Sequence, residues 1–100
     1  MAVRRRDFER LGGFDITLHS CEDFDLCQRL RELGGRLVYA PGPRVVVHEI
    51  PAARREALDI VDRALFVDRW YDRLAEGDPF FNPNFEREEA GFVPDPEALR

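Results

Sequence analysis

Three carboxylates crowd one short stretch of this chain. They are Glu22, Asp23 and Asp25, in S-C-E-D-F-D-L-C-Q-R-L-R-E-L from Ser20 to Leu33. Adjacent carboxylates repel, and one that is partly buried can have a raised pKa and serve as a general base. The same acids have a second use, because a carboxylate at a helix N-terminus favours the helix dipole by about 0.3–1 kcal/mol. Spacing alone does not choose between capping and base chemistry. His19, His48, Cys21 and Cys27 complete the inventory of reactive side chains. On a helix, Cys21 and Cys27 would stand ~9 Å apart at Cα, beyond the ~7 Å that a disulfide spans. No C-x-x-C occurs, and neither histidine stands at a zinc-ligand spacing from a cysteine. A reduced, intracellular setting is the expectation.

The elements that must position these groups follow from periodicity. Leu26, Cys27, Leu30 and Leu33 share one helical face, with Arg29, Arg31 and Glu32 around the rest. Ser20 stands where an N-cap belongs, Asp23 three residues on completes something close to a capping box, and Gly34-Gly35 stops the helix. Upstream, Arg5 to Leu11 makes two turns with Phe8 and Leu11 on one face; Gly12-Gly13 ends them, and Phe14 packs the following turn. Downstream, Arg36 to Ala40 reads as a strand closed by Pro41-Gly42-Pro43. Arg44 to Ile50 reads as a second strand, buried on both faces because of Val45-Val46-Val47. Ala52 to Leu74 is the longest helix, with a wide apolar stripe through Leu58, Ile60, Val61, Ala64, Leu65, Val67, Tyr71 and Leu74, extended by Phe66 and Trp70. Such a stripe predicts core, and it assigns Asp59, Asp62, Asp68 and Arg69 to the polar remainder. Gly77 ends the helix. Asp78 to Arg100, with prolines at 79, 83, 94 and 96, predicts an ordered loop or extended tail.

Two strands make a poor sheet by themselves. The fold class expected is therefore α/β, with residues 1–77 as the back half of a domain whose sheet is built mostly upstream and 78–100 as a Pro/Phe-rich tail. Composition narrows the function. One hundred residues make about one domain, the net charge is −5 and 44% of residues are hydrophobic. With an isoelectric point near 5.0, non-specific nucleic-acid binding is excluded, since that needs a basic face. Arg4-Arg5-Arg6 is followed at once by Asp7 and Glu9 and reads as solvated surface. No run approaches the ~18 apolar residues of a membrane span, and no signal peptide is visible.

Taken in order, A-V-R-R-R-D-F-E-R-L-G-G-F-D, then C-E-D-F-D-L-C-Q-R-L-R-E-L-G-G-R-L-V-Y-A-P, then V-V-V-H, then D-P-F-F-N-P-N-F resembles the C-terminal, acceptor-side half of family 2 glycosyltransferases. The ending is similar to that of bacterial rhamnosyl- and O-antigen-type members. The resemblance implies the GT-A fold, incomplete here as a standalone sheet. It also implies inverting transfer of a sugar from a nucleotide-diphosphate donor to the hydroxyl of a glycan or lipid-linked acceptor, in cell-surface polysaccharide synthesis. The location implied is cytoplasmic, up to the inner face of the membrane, with no membrane span.

In that family an acid of the E-D pair is the proposed base. By position it is Asp23, with Glu22 beside it and Asp25 helping to fix the helix start. Gly12 and Gly13 would let backbone approach donor or acceptor closely. His48 would be a ligand of Mg²⁺ or Mn²⁺, a metal held mainly by an upstream Asp-x-Asp and the donor diphosphate. Trp70 reads as core, with stacking on an acceptor sugar as its other use. Processive relatives carry Q-x-x-R-W, of which Arg69-Trp70 keeps the end and lacks the glutamine, so a non-processive enzyme is expected. The upstream nucleotide-binding half has no counterpart in these residues, so the chain alone is expected to be inactive. The competing reading is a small acidic interaction module that docks through Phe80, Phe81 and Phe85.

Overall fold

Glycine pairs punctuate the chain where the sequence places them. The structure, a computed structural model, describes residues 1–48, 52–85 and 93–97, without the side chains of 52–55 and 57. Among the described residues it is helical: α1 is Arg5–Arg10, α2 Glu22–Glu32, α3 Ala52–Arg69 and α4 Tyr71–Ala75. Both α1 and α2 end in the same closure. Gly12 N–H bonds the Glu9 carbonyl and Gly13 N–H the Phe8 carbonyl; Gly34 and Gly35 repeat this on Arg31 and Leu30. These are the paired bonds of a Schellman motif, which satisfy the last helical carbonyls. Gly34 takes the left-handed conformation this requires, with φ at 80°.

The two glycines of the second closure are expected to differ in cost. A Cβ on Gly34 would meet open space, so Gly34→Ala carries only the left-handed penalty of about 1–2 kcal/mol. A Cβ on Gly35 would stand 2.8 Å from the Leu30 carbonyl oxygen, a backbone atom that cannot swing aside. Urea unfolding should therefore show Gly35→Ala as the more destabilising substitution.

The expected start of α2 requires correction. Its N-cap is Cys21, and no side chain caps it; Ser20 turns its hydroxyl to Asp62 of α3 instead. A second correction concerns the sheet. Residues 36–48 carry no strand and are exposed throughout, while 49–50 lie outside the described residues. A strand persists only where a neighbour takes its N–H and C=O groups, and among the described residues neither segment meets one. The sole bridge there is the isolated antiparallel pair Phe85–Pro94, reinforced by Asp95 N–H to Asn84 O at 2.7 Å. Most of the expected tail beyond it, 86–92 and 98–100, lies outside the described residues.

The long helix is interrupted at Trp70, between α3 and α4, and its buried face differs from the expected stripe. Ile60, Val61, Leu65, Val67, Tyr71 and Leu74 are exposed. Burial follows the i, i+4 row Leu58, Asp62, Phe66, Trp70. Among the described residues the buried apolar core is small: Leu18, Leu26 and Trp70. Phe24 of α2 meets Phe66 of α3 with ring centroids 6.2 Å apart, and Phe8 meets Phe14 edge-on at 5.2 Å. The accessible surface is 9044 Å², whereas a folded monomer of 11.6 kDa shows about 5,800 Å². The α3 stripe and residues 36–48 contribute to that surface.

Candidate functional site

The three acids of α2 divide at once into two kinds. Asp25 is fully buried and is spent on structure. Its Oδ2 accepts from Arg29 Nε at 2.8 Å, and its Oδ1 from Arg69 Nη1 at 2.8 Å and Trp70 Nε1 at 2.9 Å. Arg29 also reaches back to the Leu11 carbonyl at 3.0 Å and the Gly13 carbonyl at 2.9 Å. Arg69 bridges onward to Asp15 at 2.8 Å, whose Oδ1 is held by the Thr17 hydroxyl and N–H. One carboxylate thus joins the end of α1, the body of α2 and the end of α3.

Asp23 is exposed, and its Oδ1 accepts from the Phe24 N–H at 2.8 Å. Glu22, next to it, has one carboxylate oxygen withdrawn from solvent without a hydrogen-bond partner. A carboxylate oxygen in that state is costly. These two acids are the ones that the fold leaves uncommitted at the start of α2.

A second buried carboxylate, Asp62, is 1% exposed and lies just ahead of them. Its Oδ2 accepts from the His19 N–H, the Ser20 N–H at 2.5 Å and the Ser20 hydroxyl at 3.2 Å. Burial pushes both Asp62 and Asp25 up, and their hydrogen bonds outweigh it. Asp62 is held below the usual carboxylate range by His19 and Ser20, and Asp25 by Arg69, Trp70 and Arg29. Asp15 falls to about 2, first through the Thr17 hydroxyl and N–H and then through Arg69.

Depressed folded values stabilise above the unfolded carboxylate pKa, near 3.9, and that stability is lost as pH falls through the folded values. Acid unfolding followed by circular dichroism is therefore expected to show a plateau above pH ~5 and a loss beginning below pH ~4. The loss should extend toward the Asp15 value of about 2.

The remaining predicted residues are scattered. Gly12 and Gly13 form the closure of α1, and Gly13 lies against the Phe8 ring. His19 is exposed and offers its backbone rather than its ring to Asp62. Trp70 is 6% exposed with its indole N–H on Asp25, which leaves it the surroundings of a core residue rather than an open ring for a sugar. Both cysteines are free thiols, and burial raises Cys27.

His48 is exposed. Among the described residues, no group of three His, Cys, Asp or Glu side chains could hold a metal ion. Among the described residues, no helix is long and apolar enough to cross a membrane.

Asp62, Arg69, Arg29 and Asp15 were not predicted as site residues. A signal for Asp62 was present: it interrupts the row Leu58, Phe66, Trp70 at i+4 spacing, and an acid set in an apolar row is a buried carboxylate in the making.

Comparison with known proteins bears on this arrangement. The chain is 36% identical over 84 residues to the O-antigen biosynthesis protein RfbC of Myxococcus xanthus, covering 82% of this chain and 7% of that protein. It is 36% identical over 100 residues to the rhamnosyltransferase WbbL of Escherichia coli K12, covering 94% of this chain and 35% of that protein. It is 64% identical over 31 residues to the pre-mycofactocin glycosyltransferase of Mycobacterium tuberculosis, covering 31% of this chain and 7% of that protein. The chain thus spans about a third or less of the length of these curated relatives. No family model and no solved structure matches it. The resemblance to glycosyltransferases carried by the motifs is met by relatives that are themselves glycosyltransferases or O-antigen biosynthesis proteins.

Proposed function

We propose that these 100 residues form the acceptor-side part of an inverting glycosyltransferase of surface-polysaccharide synthesis, with Asp23 as the general base. The observation that carries this reading is the division of labour among the acids of α2. Asp25 is wholly engaged by Arg29, Arg69 and Trp70, so the work of holding the helix does not fall on Glu22 and Asp23. They stand at its first turn, one exposed and the other with an oxygen lacking a partner. The similarity to a rhamnosyltransferase along 94% of the chain supplies the reaction class.

In that reaction the acceptor hydroxyl oxygen attacks the anomeric carbon of a nucleotide-diphosphate sugar. The new C–O bond forms as the bond to the diphosphate oxygen breaks, the nucleoside diphosphate leaves, and the configuration inverts. The hydroxyl proton passes to the Asp23 carboxylate, with Glu22 beside it at the same helix start. A base at a helix start is kept ionised by the dipole, which suits transfer late in the reaction, when the attacking oxygen has become acidic.

The donor pocket belongs to another part of the enzyme. The large uncovered surface, with residues 36–48 unpaired and the α3 stripe exposed, supports a domain completed by further strands. The test is a chimera in which this chain replaces the matching segment of the E. coli rhamnosyltransferase relative. Release of nucleoside diphosphate from UDP-, GDP- and dTDP-sugars is expected from the chimera and not from the 100-residue chain. Turnover by the chain alone, or a folded chimera without release from any donor, would reject the reading.

A further inference from the structure

α2 carries the proposed base, yet very little apolar packing holds it. Leu26 is its one buried apolar side chain, and Cys21 gives no side-chain cap. What fixes the helix against α3, beside the Phe24–Phe66 ring contact, is a pair of buried carboxylates, one on each helix. Asp25 of α2 reaches the end of α3 at Arg69 and Trp70. Asp62 of α3 reaches the turn before α2 at His19 and Ser20. Asp62 and Arg69 are seven residues apart on one helix, ~10.5 Å along its axis. One tie would leave α2 free to pivot; two ties at that separation set its direction.

We propose that Asp62 is a positioning residue for Asp23, acting through the His19–Ser20 backbone; this rests on the reading of Asp23 as the base. Asp23 lies three residues past Ser20, at the first turn that the Asp62 tie directs. One Asp62 oxygen gathers two N–H groups and a hydroxyl, and an ionised acceptor makes each of these bonds stronger than a neutral one would. A base misplaced by ~1 Å can cost ~10²-fold in rate.

The test uses the chimera described above, with Asp62→Asn, Asp23→Asn and the double variant, each checked for folding by circular dichroism. Asp62→Asn keeps the shape and removes the charge. It is expected to lower kcat roughly 10- to 100-fold with KM for the nucleotide-sugar unchanged. In the Asp23→Asn background the same substitution is expected to lower the residual rate by less than about 2-fold, because groups that act as a unit are not additive. A residue that only maintains the fold would lower both backgrounds by the same factor. That result, or a loss confined to KM, overturns the positioning role while leaving Asp23 as base. If Asp23→Asn has no effect, the base reading fails and the positioning role fails with it. Should Asp62→Asn not fold, Ser20→Ala removes a single bond of the tie. It is expected to lower kcat about 2- to 5-fold with the same non-additivity, and additivity there would overturn the proposal equally.

Discussion

Asp23→Asn is expected to slow sugar transfer by the chimera ~10²- to 10⁴-fold, the range associated with a positioned general base. Asparagine keeps the size and one carbonyl oxygen of the aspartate, so the Phe24 N–H can still be accepted, but the amide cannot take the hydroxyl proton. The side chain is exposed, and exposed substitutions usually shift stability by no more than about 0.5 kcal/mol. A thermal melt should therefore be close to that of the parent. The informative result is the combination of a collapsed kcat with an unmoved melting temperature. An unmoved kcat would return Glu22 and Asp23 to helix-dipole duty.

Two residues along the same helix, the expectation inverts. Asp25→Ala removes the acceptor of Arg29, Arg69 and Trp70 together. Breaking a buried ion pair from one side costs about 3–5 kcal/mol, because the charges left behind lose their partner. Arg29 retains the Leu11 and Gly13 carbonyls and Arg69 retains Asp15, which softens the loss. The Trp70 N–H has no such alternative and is left buried and unpaired, at a cost of about 1–3 kcal/mol. Domains of this class hold only about 5–15 kcal/mol in all, and a small buried apolar core among the described residues belongs at the low end. The substitution should leave little folded protein at 25 °C. Trp70 is the sole tryptophan, so its emission in a urea titration reads the outcome directly. A transition coincident with that of the parent would show that the Asp25 cluster carries no net stability.

The opposite fates of Asp23 and Asp25 were only partly legible in the sequence. What could be read was local. The ends of α1 and α2 were written in Gly12-Gly13 and Gly34-Gly35, because a left-handed closure depends on a few consecutive residues. What could not be read was the partner. Ser20 has the type and spacing of an N-cap, but its hydroxyl is drawn to Asp62, far along the chain. The stripe through Ile60, Val61, Leu65 and Val67 has helical period, but period says only that a face is apolar, and here nothing covers it. Val45-Val46-Val47 reads as a buried strand for the same reason: it records the need for neighbours without supplying them. Asp25 looked interchangeable with Glu22 and Asp23 until Arg69 and Trp70, more than forty residues away, were brought onto it.

The distance between those partners has a consequence for how the chain is made. Asp25 and Trp70 are 45 residues apart; at ~5–20 residues per second on the ribosome, roughly 2–9 s separate their synthesis. During that interval Asp25 has only Arg29 of its own helix to bond, and Arg69 and Trp70 are still to come. The acidic helix is therefore closed from behind, by the last turn of α3. A nascent chain halted before Asp62 holds neither tie to α3, and α2 gains both only when α3 is complete.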